Sequence, residues 1–172
     1  MVEEGTRRLV LLRHAKSAWP EDVPDHDRPL GKRGRRDAPA VGRWLRAKEY
    51  LPDTVVCSTA RRTRETWELV AVELSPAFKG RAPAVTFEPR AYAASAMSLL
   101  YLARELPGES RASMLIAHNP GISELAASLA GTHRGGMNFP TAGVAVLEFD
   151  DDWADLTHGQ ARLADFVIPA DL

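Results

Sequence analysis

Four consecutive apolar residues, Leu9-Val10-Leu11-Leu12, run directly into Arg13-His14. A strand that is apolar at every position must be covered on both faces, which parallel sheets flanked by helices achieve. The polar pair then falls at the strand's carboxyl end, the edge at which open α/β sheets bind ligands. The rest of the chain alternates to match. Thr54–Cys57, Ala84–Phe87, Met114–Ala117, Val144–Phe149 and Arg162–Ile168 are further short strand candidates. Between them, apolar residues recur at helical spacing: Ala38, Val41 and Leu45; Thr63, Trp67, Val70 or Ala71, and Leu74; Leu99, Leu102, Ala103 and Leu106, with Ser95 as N-cap; and Ile122, Leu125, Ala126 and Leu129 after Pro120. The pattern predicts an α/β fold, a three-layer α/β/α sandwich around a central, mostly parallel sheet. Its 172 residues suit one domain spanning 1–172, with no linker or repeat to divide it.

Composition narrows the partners. The formal net charge of -1 offers no electrostatic reason to bind nucleic acid or an anionic membrane surface. No apolar run approaches the ~20 residues of a membrane span, and the acidic start followed by a strand is unlike a secretory signal. The lone cysteine, Cys57, excludes an internal disulfide and a cysteine-based zinc cluster, so a reduced, cytoplasmic setting is expected.

Polar residues cluster where the predicted strands end. The first strand ends in Arg13-His14, the second in Cys57-Ser58 with Arg61 and Arg62 one turn on, and the fourth in His118-Asn119 at a helix start. Parallel strands bring these ends together, so two histidines and at least two arginines are expected to converge. Arginine forks match phosphate oxygens, and a helix amino end adds backbone donors. A histidine in such a dianion site can accept a phosphoryl group if one ring nitrogen is unprotonated and the other is held, for instance by a nearby backbone carbonyl.

The chain resembles the histidine phosphatase superfamily, whose Arg-His-Gly motif stands here as Arg13-His14-Ala15. It is closest to the small phosphohistidine phosphatases of the SixA type. Six ordered blocks carry the resemblance: LRHAKSAW (Leu12–Trp19), DRPLGKRG (Asp27–Gly34), CSTARRTRET (Cys57–Thr66), AYAAS (Ala91–Ser95), AHNPGISELA (Ala117–Ala126) and FPTAGVAVLEF (Phe139–Phe149). The resemblance implies that His14 is a transiently phosphorylated nucleophile, that Arg13 and Arg62 clamp the phosphoryl group, and that His118 donates a hydrogen bond to it. It selects Arg62 over Arg61 and Arg64, and it implies a metal-independent reaction without cofactor. Glu88 is the one acid placed where larger relatives carry a general acid.

Ser17, Arg28 and Asn119 are secondary candidates for phosphate contact. The competing reading is an ordinary turn or hydrogen-bonding role for each, with Arg28 paired to Asp27. His26, His133 and His158 are expected at the surface, and Trp44, Trp67 and Met137 in packing. The implied substrate is phosphohistidine on a protein, such as a histidine phosphotransfer domain; phosphoserine proteins and small phosphoesters are the alternatives, as is a silent phosphate-binding module. Two other chemistries fit less well. A cysteine phosphatase loop would need arginine at position 63, where Thr63 stands, and a metallohydrolase built on His14 and His118 lacks further ligands at persuasive spacing.

Overall fold

The computed structural model describes residues 4–132 and 137–172. Ten elements carry the architecture: β1 (Arg7–Arg13), α1 (Lys32–Ala47), β2 (Thr54–Ser58), α2 (Arg61–Leu74), β3 (Ala84–Glu88), α3 (Ala96–Arg104), β4 (Ala112–Ala117), α4 (Gly121–Leu129), β5 (Val144–Phe149) and β6 (Arg162–Val167). The strands form one sheet in the order β3-β2-β4-β1-β5-β6. β1, β2, β3 and β4 pair parallel, whereas β5 runs antiparallel to both β1 and β6. The sheet is thus mostly parallel, with β5 as the reversed strand.

The apolar run of β1 explains the layers. Leu9 and Leu11 point to one face, where they join Leu115, Ala117 and Leu147 of the sheet and Leu99, Leu102, Ile122, Leu125 and Leu129 of α3 and α4. Val10 and Leu12 point to the other, with Val55, Cys57, Met114 and Ile116, under Val41, Leu45, Trp67, Val70 and Leu74 of α1 and α2. All four β1 side chains are fully buried, each worth about 1.5–3 kcal/mol relative to exposure. Trp67 lies in this core, Trp44 packs on Tyr50 at 5.6 Å between ring centroids, and Met137 packs against the opposite cluster. β3 is an edge strand, and its exposed Val85 and Phe87 reflect that place.

This topology creates a crevice. The chain leaves β1 toward α1 on one face and leaves the adjacent β4 toward α4 on the other. Neighbouring strands whose exits diverge leave a gap at their carboxyl ends, the usual ligand position in open α/β sheets. Two glycines fit the walls of that gap. A Cβ at Gly34 would overlap the Lys16 carbonyl, and one at Gly121 would overlap the Ala94 carbonyl. Helices α1 and α4 therefore approach the loops after β1 and β3 more closely than a larger residue permits. Among the described residues, no helix is long and apolar enough to cross a membrane.

Candidate active site

The β1 exit is pinned on three sides. The His14 amide donates to the Ala117 carbonyl at the end of β4 (3.1 Å), and the Arg13 amide donates to Gly143 (3.1 Å). The Ala142 amide donates to the carbonyls of both Arg13 (3.1 Å) and His14 (3.0 Å), and the Ala15 amide donates to Thr66 Oγ1 on α2 (2.9 Å). His14 is thereby fixed to the β4 end, the turn before β5 and the α2 inner face.

The side chains of Arg13, His14, Arg62 and His118 meet in the crevice. The two imidazole rings lie 5.2 Å apart between centroids, and Arg62 Nη2 stands 3.3 Å from His118 Nδ1. The hydrogen bonds assign the protons. His14 Nδ1 lies 2.8 Å from the Ala15 carbonyl, which can only accept, so Nδ1 carries the proton and Nε2 keeps its lone pair. Arginine only donates, so His118 Nδ1 is an acceptor and Nε2–H donates to Ser58 Oγ (2.8 Å). Both rings are neutral. Burial pushes the His14 imidazole down to about 3, with His118, Arg62 and Arg13 adding to the effect and the Ala15 hydrogen bond opposing it. Burial, then Arg62, pushes His118 down to about 4. Arg13 donates from Nη1 to the Phe139 carbonyl (3.0 Å), and burial followed by Arg62 lowers its proton affinity. An uncharged imidazole nitrogen beside two confined guanidinium groups can attack an electrophilic phosphorus while the cations hold its oxygens.

Helical periodicity separates the neighbouring arginines. Arg62 and Thr66, four residues apart, face inward and are buried; Arg61 is exposed and pairs with Glu65 (2.8 Å), and exposed Arg64 lies over the Phe87 ring. Cys57 lies in the β2 core, where burial pushes its thiol up to about 12, so it holds no thiolate at neutral pH. Among the described residues, no group of three or more His, Cys, Asp or Glu side chains is arranged to hold a metal ion.

The secondary candidates are distributed differently. Ser17 Oγ accepts from Arg28 Nη2, and Arg28 also donates to the Ala18 carbonyl (3.2 Å) and Asp25 Oδ1 (2.8 Å). Arg28 therefore pairs with Asp25 rather than with Asp27. Asp25 and Asp27 are both exposed, but only Asp25, the first residue of a 3-10 turn, bonds the Arg28 guanidinium. Asn119 donates from Nδ2 to Phe139 O (2.8 Å), beside Arg13, and leaves a buried Oδ1 without a protein partner. Both Glu88 carboxylate oxygens are bound by Arg90 (3.0 and 3.2 Å), which also holds Glu105 (2.8 Å). These bonds lower the Glu88 proton affinity, the opposite of what a general acid needs. Glu88 lines a cleft with Val56, Thr86, Leu102 and Leu106.

Sequence reasoning did not single out Asp25, Ser58, Thr66 or Tyr92, and it placed His26 at the surface. His26 is half-buried, bonded to Thr59 Oγ1 (2.9 Å) and packed edge-on against Tyr92 (4.8 Å). Tyr92 in turn packs on His118 (5.6 Å) and donates to Asp25 Oδ2 (2.6 Å). Asp25 and His26 come from the loop after β1 and Tyr92 from the loop after β3, and no spacing in the chain links those two loops. His158 is exposed and bonded to Ser128; His133 lies outside the described residues.

Comparison with known proteins supplies the family. Residues 9–82 match the family model of the histidine phosphatase superfamily (branch 1). An uncharacterized protein of Mycobacterium tuberculosis is 37% identical over 166 residues, covering 92% of this chain and 99% of the relative. The structure of a candidate phosphohistidine phosphatase SixA from Nakamurella multipartitia superposes with a TM-score of 0.81 and 30% identity, covering 95% of this chain and 96% of that one. A second SixA candidate, from Agrobacterium tumefaciens, gives a TM-score of 0.78 at 30% identity, with 95% and 98% coverage. The chain belongs to the histidine phosphatase superfamily and is SixA-like over nearly its whole length.

Proposed function

We propose that this protein is a metal-independent phosphatase that forms a phosphohistidine on His14, and that its substrate is phosphohistidine carried on a protein. The observation that carries this reading is the hydrogen bond from His14 Nδ1–H to the Ala15 carbonyl, which leaves Nε2 unprotonated among three cationic or imidazole side chains. In the first step, His14 Nε2 attacks phosphorus in line as the bond to the leaving group breaks. Arg13 and Arg62 neutralise the phosphoryl oxygens in the place a metal would take, so positioning and charge supply the catalysis. The bound dianion raises the proton affinity of His118. The ring takes a proton from solvent on Nδ1, gives up the Arg62 hydrogen bond, and donates Nδ1–H to a phosphoryl oxygen while Nε2–H stays on Ser58. In the second step, water cleaves the P–N bond, releasing phosphate and restoring neutral His14.

The substrate class follows from the leaving group. Glu88, the one acid expected to serve as proton donor, is committed to Arg90. An alkoxide from phosphoserine departs poorly without a donor. Phosphohistidine protonated on its other ring nitrogen expels neutral imidazole, whose conjugate acid has a pKa of about 6.5, so the breaking P–N bond needs no donor from the protein. A protein-borne substrate also needs an open approach, and between β3 and β4 the chain holds only a short turn and α3, with no inserted lid domain.

The test is a trapping experiment. After incubation with labelled acetyl phosphate or phosphoramidate and a denaturing quench, an acid-labile, base-stable label should appear on His14 and be absent from His14→Ala. Turnover should survive EDTA and should favour phosphohistidine over phosphoserine peptides in both wild type and Glu88→Ala. A label elsewhere would defeat the nucleophile assignment. A phosphoserine preference that collapses in Glu88→Ala would defeat the substrate assignment.

A further inference from the structure

Arg62 is gripped by a residue outside the histidine–arginine cluster. Its Nη1 donates to the Asp25 backbone carbonyl (2.8 Å), and its Nη2 donates to Asp25 Oδ2 (3.1 Å) beside His118 Nδ1. Two bonds to two oxygens of one residue fix the plane of a guanidinium, which one bond does not. Before substrate binds, three of its five N–H groups are used by Asp25 and His118; two remain for an oxyanion, and the one on His118 is freed when that ring takes up its proton.

Asp25 is itself over-determined. Oδ1 accepts from Arg28 (2.8 Å), and Oδ2 accepts from Tyr92 as well as Arg62. Arg28 is buried, anchored on Ala18 and Ser17, and covered by Trp19, whose ring lies 3.2 Å from the guanidinium carbon and is itself 74% exposed. The segment is closed at its base by a Ser17–Leu30 bridge. We infer that Asp25, held between Tyr92 and Arg28, is a positioning residue that orients the Arg62 guanidinium toward the phosphoryl site. This rests on the reading of Arg62 as a phosphoryl clamp. It also gives Ser17 and Arg28 a role: they support Asp25 rather than touch phosphate.

The physical argument is pre-organisation. Arginine has a long, rotamer-rich side chain, and orienting it before substrate arrives removes that ordering from the reaction barrier. A carboxylate beside the clamp also dilutes its positive charge. Positioning and competition for the clamp therefore make opposite forecasts for loss of the carboxylate. If Asp25 positions Arg62, its removal slows phosphoryl transfer. If it competes with substrate, its removal tightens phosphate binding and leaves kcat intact.

The experiment measures kcat and KM for Asp25→Asn, Asp25→Glu and Tyr92→Phe, each with Arg62 present and in Arg62→Ala, alongside inorganic phosphate affinity by calorimetry. With Arg62 present, Asp25→Asn should lower kcat about ten- to a hundredfold, with a smaller change in KM. Asp25→Glu should recover part of the loss, and Tyr92→Phe should show a smaller decrease of the same kind. In Arg62→Ala these effects should disappear. A loss from Asp25→Asn that persists undiminished in Arg62→Ala, or tighter phosphate binding at unchanged kcat, overturns the inference. One readout is independent of catalysis: NMR of the Arg62 side chain should show a slowly rotating guanidinium in wild type and averaged signals in Asp25→Asn. If wild type forms no His14 adduct, the proposed mechanism fails, and the NMR comparison still decides whether Asp25 orders Arg62.

Discussion

Acidification from pH 7 to pH 5 distinguishes two buried neutral imidazoles from two ordinary surface histidines. In the unfolded chain each ring takes up its proton near 6.5. In the folded protein, burial first and neighbouring positive groups second hold His14 down to about 3 and His118 to about 4. Because the folded values are depressed, the unfolded state binds more protons throughout this window. The stability associated with neutral rings is therefore fully present above about 6.5 and is lost as pH falls toward the folded values. At about 1.36 kcal/mol per pH unit, each ring should remove about 2 kcal/mol of stability at pH 5 relative to pH 7, and the pair about 4 kcal/mol. Asp25 does not enter this window. Its carboxylate is held low chiefly by the Tyr92 hydroxyl, and its contribution is lost only below its unfolded value of 3.8. Urea unfolding at fixed ionic strength and pH 7, 6 and 5 provides the assay, on wild type, His14→Asn, His118→Asn and the double variant. Each single variant should lose about 2 kcal/mol less than wild type between pH 7 and 5, and the double variant about 4 kcal/mol less. An identical pH dependence in wild type and the double variant would refute the account of these rings as buried and uncharged.

Other perturbations test separate contacts. Arg62→Ala should reduce kcat/KM about 10²- to 10³-fold, comparable to loss of a preorganised oxyanion donor, whereas Arg64→Ala should leave stopped-flow turnover near wild type. Gly34→Ala forces a methyl group into the Lys16 carbonyl, two residues from His14. It should lower urea stability by about 1–3 kcal/mol and slow turnover as well. Thr66→Val strips the acceptor from the buried Ala15 amide; a stability loss of about 1–3 kcal/mol is expected by thermal unfolding, together with a lower rate of His14 phosphorylation. Cys57 should resist iodoacetamide at pH 7.5 and react only in denaturant, as mass spectrometry can check; rapid labelling of the folded protein would contradict its burial.

Local chemistry in the chain determined a good deal. The Leu9–Leu12 run required cover on both faces, and period-3.6 patterns supplied the helices that provide it. The apolar-to-polar transitions at Arg13-His14 and His118 marked strand ends, and the family resemblance selected Arg62 over Arg61 and Arg64, a choice that matches their phase on α2. The reversal of β5 was not legible, because an apolar strand buried on both faces reads the same in either direction. Nor did any spacing forecast that Arg28 would turn to Asp25, that both Glu88 oxygens would be taken by Arg90, or that Tyr92 and His26 would line the crevice beside His118. Arg28–Asp25 and Glu88–Arg90 are local pairs set by the turns they occupy, whereas the contacts of Tyr92 join loops up to 67 residues apart, which only the strand order, with β4 inserted between β1 and β2, brings together. The protonation of the two histidines was decided at the same level. A ring's charge depends on burial and on which nitrogen meets a carbonyl, a hydroxyl or a guanidinium, and those are properties of assembled neighbours rather than of residue type.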